Sequence, residues 1–214
     1  MIKAILLIFR PVQTWNNISV ANRSIAYIFC LHLLPVILLT SAAEGYGLTH
    51  WGKTHNIGSK FVKIYSPAEA VVIETIISLI LIGLVFLGAA AARSYSSTFH
   101  RRSTYKQAFT AIAYGLAPLF SLRLIFWSDA MLSCIPWAIG LVLAIGAIYT
   151  GLPCMLKPDP PHAFGLYVMT SLTLSVIFGL WQLVTWQFFV GRFPGLEKII
   201  ANLAGVTAGG APPL

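Results

Sequence analysis

Hydrophobic residues gather into five long stretches of this chain, at about 24–43, 68–92, 108–126, 131–152 and 164–190, with short polar segments between them. A helix crossing a hydrocarbon core about 30 Å thick takes roughly 20 apolar residues, and each stretch meets that length. The third and fourth are separated only by Trp127-Ser128-Asp129-Ala130, so they are expected to form an antiparallel helical hairpin. The pattern predicts an all-α polytopic membrane protein: a bundle of five transmembrane helices with a short N-terminal interfacial helix. It divides the chain into an N-terminal interfacial segment (1–23), the five-helix domain (24–190) and a partly disordered C-terminal tail (191–214).

The flanking segments follow the same logic. Ile2, Leu6 and Phe9 can share a helical face while Lys3 and Arg10 reach headgroups, and Trp15 follows Pro11 as an interfacial aromatic. The basic start lacks a small-residue cleavage site before Arg10-Pro11, so it is read as retained. Residues 44–66 form the longest segment outside the spans, with glycines, two histidines and two tyrosines, expected to be partly ordered at the surface. A short amphipathic helix is expected over 196–203, followed by a disordered ending.

Composition agrees with a lipid environment: 57% of the 214 residues are hydrophobic and 9% charged, against roughly a quarter charged in soluble domains. The net charge of +8 does not mark a nucleic-acid binder, because basic residues sit at the ends of apolar runs rather than among aromatics on a polar surface. Anionic lipid headgroups are the expected counter-charge. With the N-terminus inside, eight basic residues fall on the inner side (Lys3, Arg10, Arg23, Arg93, Arg101, Arg102, Lys106, Lys157). Five fall outside, Arg123 being set aside as intramembrane, so the positive-inside rule puts the N-terminus in the cytoplasm and the C-terminus out. Cys30, Cys134 and Cys154 are too scattered for a disulfide framework or a metal site.

An ordered series of short features resembles the Yip family, the Ypt/Rab-interacting membrane proteins, and its small bacterial branch in particular. The series begins with Phe9-Arg-Pro-Val-Gln-Thr-Trp-Asn-Asn-Ile18 and a basic loop leading into Ser103-Thr-Tyr-Lys-Gln-Ala108. Tyr114-Gly-Leu-Ala-Pro118 and Tyr149-Thr-Gly-Leu-Pro-Cys-Met-Leu-Lys157 follow, and the last span is rich in aromatics. Ala113 stands where the family's Gly-Tyr-x-Leu-x-Pro pattern has glycine, and its Asp-Leu-Tyr-Gly-Pro pattern is not found. These departures weigh against direct Rab binding. The resemblance implies five spans with a cytosolic N-terminus, and no established substrate or reaction.

Charges within spans are costly and are usually paired or face water, which singles out Glu74 and Arg123. Their depths below the outer ends of helices two and three match to within a turn, roughly 5 Å. An interhelical pair is therefore expected, with Glu69 and Asp129 as competing partners for Arg123. A packing salt bridge or snorkelling is one reading of these charges, and an ion or proton path the other. His32, near mid-span before Pro35, is a third polar candidate, as an interhelical hydrogen-bonding group or a proton relay. Pro35, Pro118 and Pro136 lie inside spans as kink sites, and Gly88 with Ala92 and Gly140 with Ala144 give small-residue pairs for close helix approach. Packing within one chain is the default for those pairs, and a dimer face the alternative.

Arg93, Arg101, Arg102 and Lys106, with His100, form an inner basic cluster fit for lipid or partner contact. His50 and His55 lack a third ligand, so no metal and no cofactor is expected. No nucleophile triad, phosphate loop or paired-carboxylate site is present, which points away from an enzyme. The expected function is a non-enzymatic multi-pass scaffold or adaptor in a bacterial inner membrane. It would act on anionic lipids or cytoplasmic protein partners, with a homo-oligomer open. The alternative is a small transporter or channel, or a subunit of one, using Glu74 and Arg123.

Overall fold

A computed structural model of the chain describes residues 7, 11–54, 62–98, 103–124 and 134–205. The expected turn around Asp129 and the residues Arg101 and Arg102 lie outside these. Among the described residues the protein is almost entirely helical, and four helices are long and apolar enough to cross a membrane. They are α2 (Ile25–His50), α3 (Pro67–Thr98), α6 (Cys134–Leu156) and α7 (Ala163–Phe189). Shorter elements complete the order: α1 (Pro11–Ala21) before them, and α4 (Tyr105–Gly115) with α5 (Ala117–Leu122) between α3 and α6. Helix α8 (Pro194–Leu203) closes the series. Between α2 and α3, β1 (Lys53–Thr54) pairs antiparallel with β2 (Val62–Lys63), Lys53 opposite Lys63.

The third apolar stretch differs most from expectation, because it makes two short helices rather than one long one. Pro118 has no N–H to give to the carbonyl of Tyr114, so the ladder breaks at Leu116, whose own N–H still reaches Ile112 at 2.9 Å. Neither piece is long enough alone to count as a crossing. Every residue from Ala108 to Phe120 is nevertheless buried, as expected for a helix that is apolar on all sides. The α4–α5 segment is therefore the axis of the bundle. The capping box of Thr104 and Gln107 starts it, with Gln107 N–H on the threonine oxygen and Thr104 N–H on the glutamine oxygen.

The long helices pack around this axis through small residues. A Cβ on Gly115 would meet Ile148 of α6 at 2.5 Å, and one on Gly140 would stand 3.1 Å from the backbone of Leu119. One on Gly88 would stand 2.7 Å from Leu174 of α7. Both Gly88 and Gly140 thus serve packing within the chain, and Ala92 and Ala144 are fully buried with them. Pro35 bends α2 differently from a simple kink. Without a proline N–H the ladder loosens just upstream, and Phe29–Leu33 form a π turn in which Leu34 N–H reaches Phe29 C=O. Pro136 sits in the first turn of α6, where a missing N–H costs little.

One boundary and one side-chain placement differ from expectation. The first span does not end at 43: α2 runs to His50, with Glu44, Gly47 and Leu48 buried on its inner side. A helix covers Pro11–Ala21, while Ile2, Lys3, Leu6, Phe9 and Arg10 of the expected interfacial face lie outside the described residues; Trp15, expected at the membrane interface, is fully buried against α6 and donates from Nε1 to Ala147 C=O at 3.0 Å. A Cβ on Gly151 would lie 2.3 Å from that indole, so a residue without a side chain makes the seat for Trp15.

Candidate functional site

Two ends of the bundle can now be distinguished: one carries the β1–β2 hairpin and α8, the other the α1–α2 corner and the start of α4. The hairpin end holds the buried charges. On α2, helical spacing puts Ser41 and Glu44 on one face; on α3 it does the same for Glu74 and Ser78. The helices are antiparallel neighbours, and the two serine hydroxyls meet at 2.7 Å. The two glutamates lie beyond them toward the hairpin.

Arg123, the residue capping α5, enters between these carboxylates. Its Nη2 donates to Glu44 Oε2 at 2.5 Å and stands 3.7 Å from Glu74 Oε2. Lys53, delivered by β1, places Nζ 3.7 Å from Glu44 Oε1 and 5.2 Å from the centre of the Phe189 ring. All four side chains are buried, with residue exposures of 5% for both glutamates, 6% for Lys53 and 8% for Arg123. Two cations and two carboxylates balance formally, which is the condition under which charges are tolerated away from water. The partners are not equivalent. Glu44 takes the short bond and both cations, whereas neither oxygen of Glu74 accepts a hydrogen bond among the described residues.

The expected Glu74–Arg123 contact thus exists as the weaker arm of a larger cluster whose principal acid is Glu44. Glu69 is not a competitor. Its carboxylate accepts from Ser66 N–H at 2.9 Å while Ser66 Oγ accepts from Glu69 N–H, capping α3. Asp129 lies outside the described residues.

His32 stands apart, roughly 18 Å along α2 from Glu44 at 1.5 Å per residue. It lies in the π turn and stacks on Tyr114 with ring centres 4.1 Å apart, while Tyr114 meets Trp15 edge-on at 6.5 Å. This column joins α1, α2 and α4. His50 stacks on Tyr46 at 3.9 Å, and His55 lies outside the described residues. No cluster of metal-ligating residues occurs among the described residues.

At the opposite end Arg93 is exposed on the last turns of α3. Lys106 is half-buried and donates to Asn22 C=O at 2.9 Å, tying the start of α4 to the α1–α2 corner. Arg23 lies over the Tyr27 ring at 4.7 Å. Among the described residues the cations at this end have no carboxylate within ion-pair distance, unlike Arg123, Lys53 and Lys63 at the hairpin end.

Neither a curated protein nor a solved structure matches the chain. A family model described as the Yip1 domain matches residues 5–191, which takes in α1 to α7, the buried charges and the stacked column. This membrane protein belongs to the Yip1 family.

Proposed function

We propose that the protein is a five-pass, non-enzymatic scaffold or adaptor of a bacterial inner membrane, working through its basic end on anionic lipid or an acidic protein partner. The fifth crossing in this reading is α4 followed by α5, whose 11 and 6 residues and the connecting Leu116 reach roughly 27 Å at 1.5 Å per residue. The N-terminus then lies in the cytoplasm and the C-terminus outside.

The observation that carries the proposal is the segregation of charge. By place in the sequence, the basic end has eight Lys and Arg residues and one acid, Asp159. The hairpin end has the other six basic residues and five acids. Nearly all of the net charge of +8 therefore belongs to one end, while the other neutralises itself through Glu44, Glu74 and Glu197. At about 1 kcal/mol per basic residue near an anionic leaflet, Arg93, Arg101, Arg102 and Lys106 supply enough to hold that end to lipid or to an acidic partner.

The buried quartet fits this reading as a clamp joining α2, α3, α5 and β1. A transporter or channel reading gives Glu74 a different duty, and one experiment separates the two. The protein is reconstituted with Arg93, Arg101, Arg102 and Lys106 changed to Glu, and in parallel with Glu74→Ala. The scaffold reading expects the fourfold reversal to abolish association with vesicles containing anionic lipid and capture of cytoplasmic partners, while Glu74→Ala leaves both intact. Unchanged association after the reversal, or a solute flux that Glu74→Ala abolishes in a still-folded bundle, overturns it.

A further inference from the structure

We propose that α8 is a lipid-seated strap: its outward apolar face rests in the membrane interface at the hairpin end, and its inward face holds the β1–β2 hairpin over the buried charges. The helix has two sides with different fates. Ile200 is buried against α3, and Glu197 pairs with Lys63 of β2 at 2.7 Å. Leu196, Ile199 and Leu203, which follow one another around the helix at spacings of three and four, are 49%, 54% and 66% exposed. Lys198 is exposed on the polar side, and Arg192 is exposed in the turn that precedes the helix.

Lipid is the occupant that these features fit. An exposed apolar face on a helix whose polar side carries Lys198, with Arg192 just before its first turn, is the pattern of an interfacial helix. Its position agrees, because α8 begins where α7 ends, after a turn made by Gly191 at φ 82°, and so lies at the level where a spanning helix leaves the hydrocarbon. The exposed apolar surface is also continuous in kind with that of the spanning helices at the same end, where Val71, Val184 and Trp186 face outward. Through Glu197 and Lys63 the strap holds β2. Through the pairing of Lys53 with Lys63 it holds the strand that delivers Lys53 to Glu44. Lipid contact at the surface is thereby linked to the completeness of the buried quartet.

The test uses the full chain in lipid nanodiscs with Cys30, Cys134 and Cys154 replaced by serine. Single nitroxides are placed through Ile199→Cys, Leu203→Cys, Asn202→Cys and, as a mid-span reference, Leu79→Cys. Power saturation compares access of oxygen, which enters lipid, with access of a water-soluble nickel chelate. The expected result is oxygen access exceeding nickel access severalfold at 199, 203 and 79, with the order reversed at 202. Nickel access dominating at 199 and 203 while 79 remains in lipid overturns the strap. So does shielding of 199 and 203 from both reagents, which would place a protein or a second copy on that face. Failure at position 79 would instead overturn the spanning assignment of α3.

Discussion

Changing Glu44 to Gln keeps the shape of the side chain and removes the charge on which the quartet turns. Arg123 then loses its 2.5 Å partner and retains Glu74 at 3.7 Å, while Lys53 loses its carboxylate altogether. Breaking a buried ion pair by removing one partner costs about 3–5 kcal/mol, most of it from the charge left uncompensated. Glu44→Gln is therefore expected to destabilise the bundle by about 3–5 kcal/mol and Arg123→Gln by a similar amount, since the latter leaves two carboxylates facing one lysine. Glu74→Gln removes a group that makes no hydrogen bond among the described residues, so its cost is expected below about 1 kcal/mol. The double change Glu44→Gln with Arg123→Gln leaves Glu74 and Lys53, one charge of each sign. It should recover about 2 kcal/mol relative to the sum of the single changes, within the range seen for coupled neighbours. Unfolding of the purified protein in bicelles, followed by circular dichroism against increasing dodecyl sulfate, measures each value. Losses below about 1 kcal/mol for both Glu44→Gln and Arg123→Gln, or additivity of the double change within about 0.5 kcal/mol, would show charges screened by water and refute the clamp.

Three further outcomes follow from the packing and the outer segments. Gly151→Val drives a side chain into the Trp15 indole, which its bond to Ala147 holds in place. A loss of about 1–3 kcal/mol, with a change in tryptophan emission, is expected, and unchanged emission would contradict the seat described for α1. Gly52→Ala meets a φ of 69° and the Lys63 carbonyl at 2.4 Å. It should loosen the hairpin at a cost of more than about 1 kcal/mol, detected as faster proteolysis between β1 and β2. Tyr65 is held well above the ordinary tyrosine pKa, first by burial and then by Glu197 and Glu69, so the fold favours its neutral form. That contribution is complete below about pH 10 and is lost as pH rises through the folded value. The alkaline fall in stability should shrink in Tyr65→Phe, and an identical fall in both proteins would refute it.

The sequence shows the long apolar runs plainly, since length and composition are enough to mark α2, α3, α6 and α7. It also brings Glu74 and Arg123 to a common depth, and the structure finds them 3.7 Å apart. Glu44 escapes notice because Glu44-Gly45-Tyr46-Gly47 resembles the start of a loop, whereas buried contacts at Gly47 and Leu48 carry the helix onward. A signal was available: Ser41 with Glu44, and Glu74 with Ser78, are polar pairs at helical spacing on adjacent antiparallel helices. Lys53 offers no such signal, for its place depends on a hairpin formed over a separation that no local periodicity reports. Trp15 illustrates a different ambiguity. An aromatic beside a proline near a span suits a membrane interface and a tight interhelical seat equally well until the facing residue, here Gly151, is known.

The wrapped axis has a bearing on how the protein meets bilayers of different thickness. From Ala108 to Phe120 no side chain reaches the outside of the bundle, so hydrophobic mismatch is not felt there directly. The outer helices must absorb it, and α3, with 32 residues and roughly 48 Å of length, exceeds a typical hydrocarbon core. Tilt of the periphery about a short, insulated centre lets the bundle adapt to thinner or thicker membranes while the contacts along its axis stay unchanged. Preference for one membrane over another would then be written in the outward residues of α2, α3, α6 and α7.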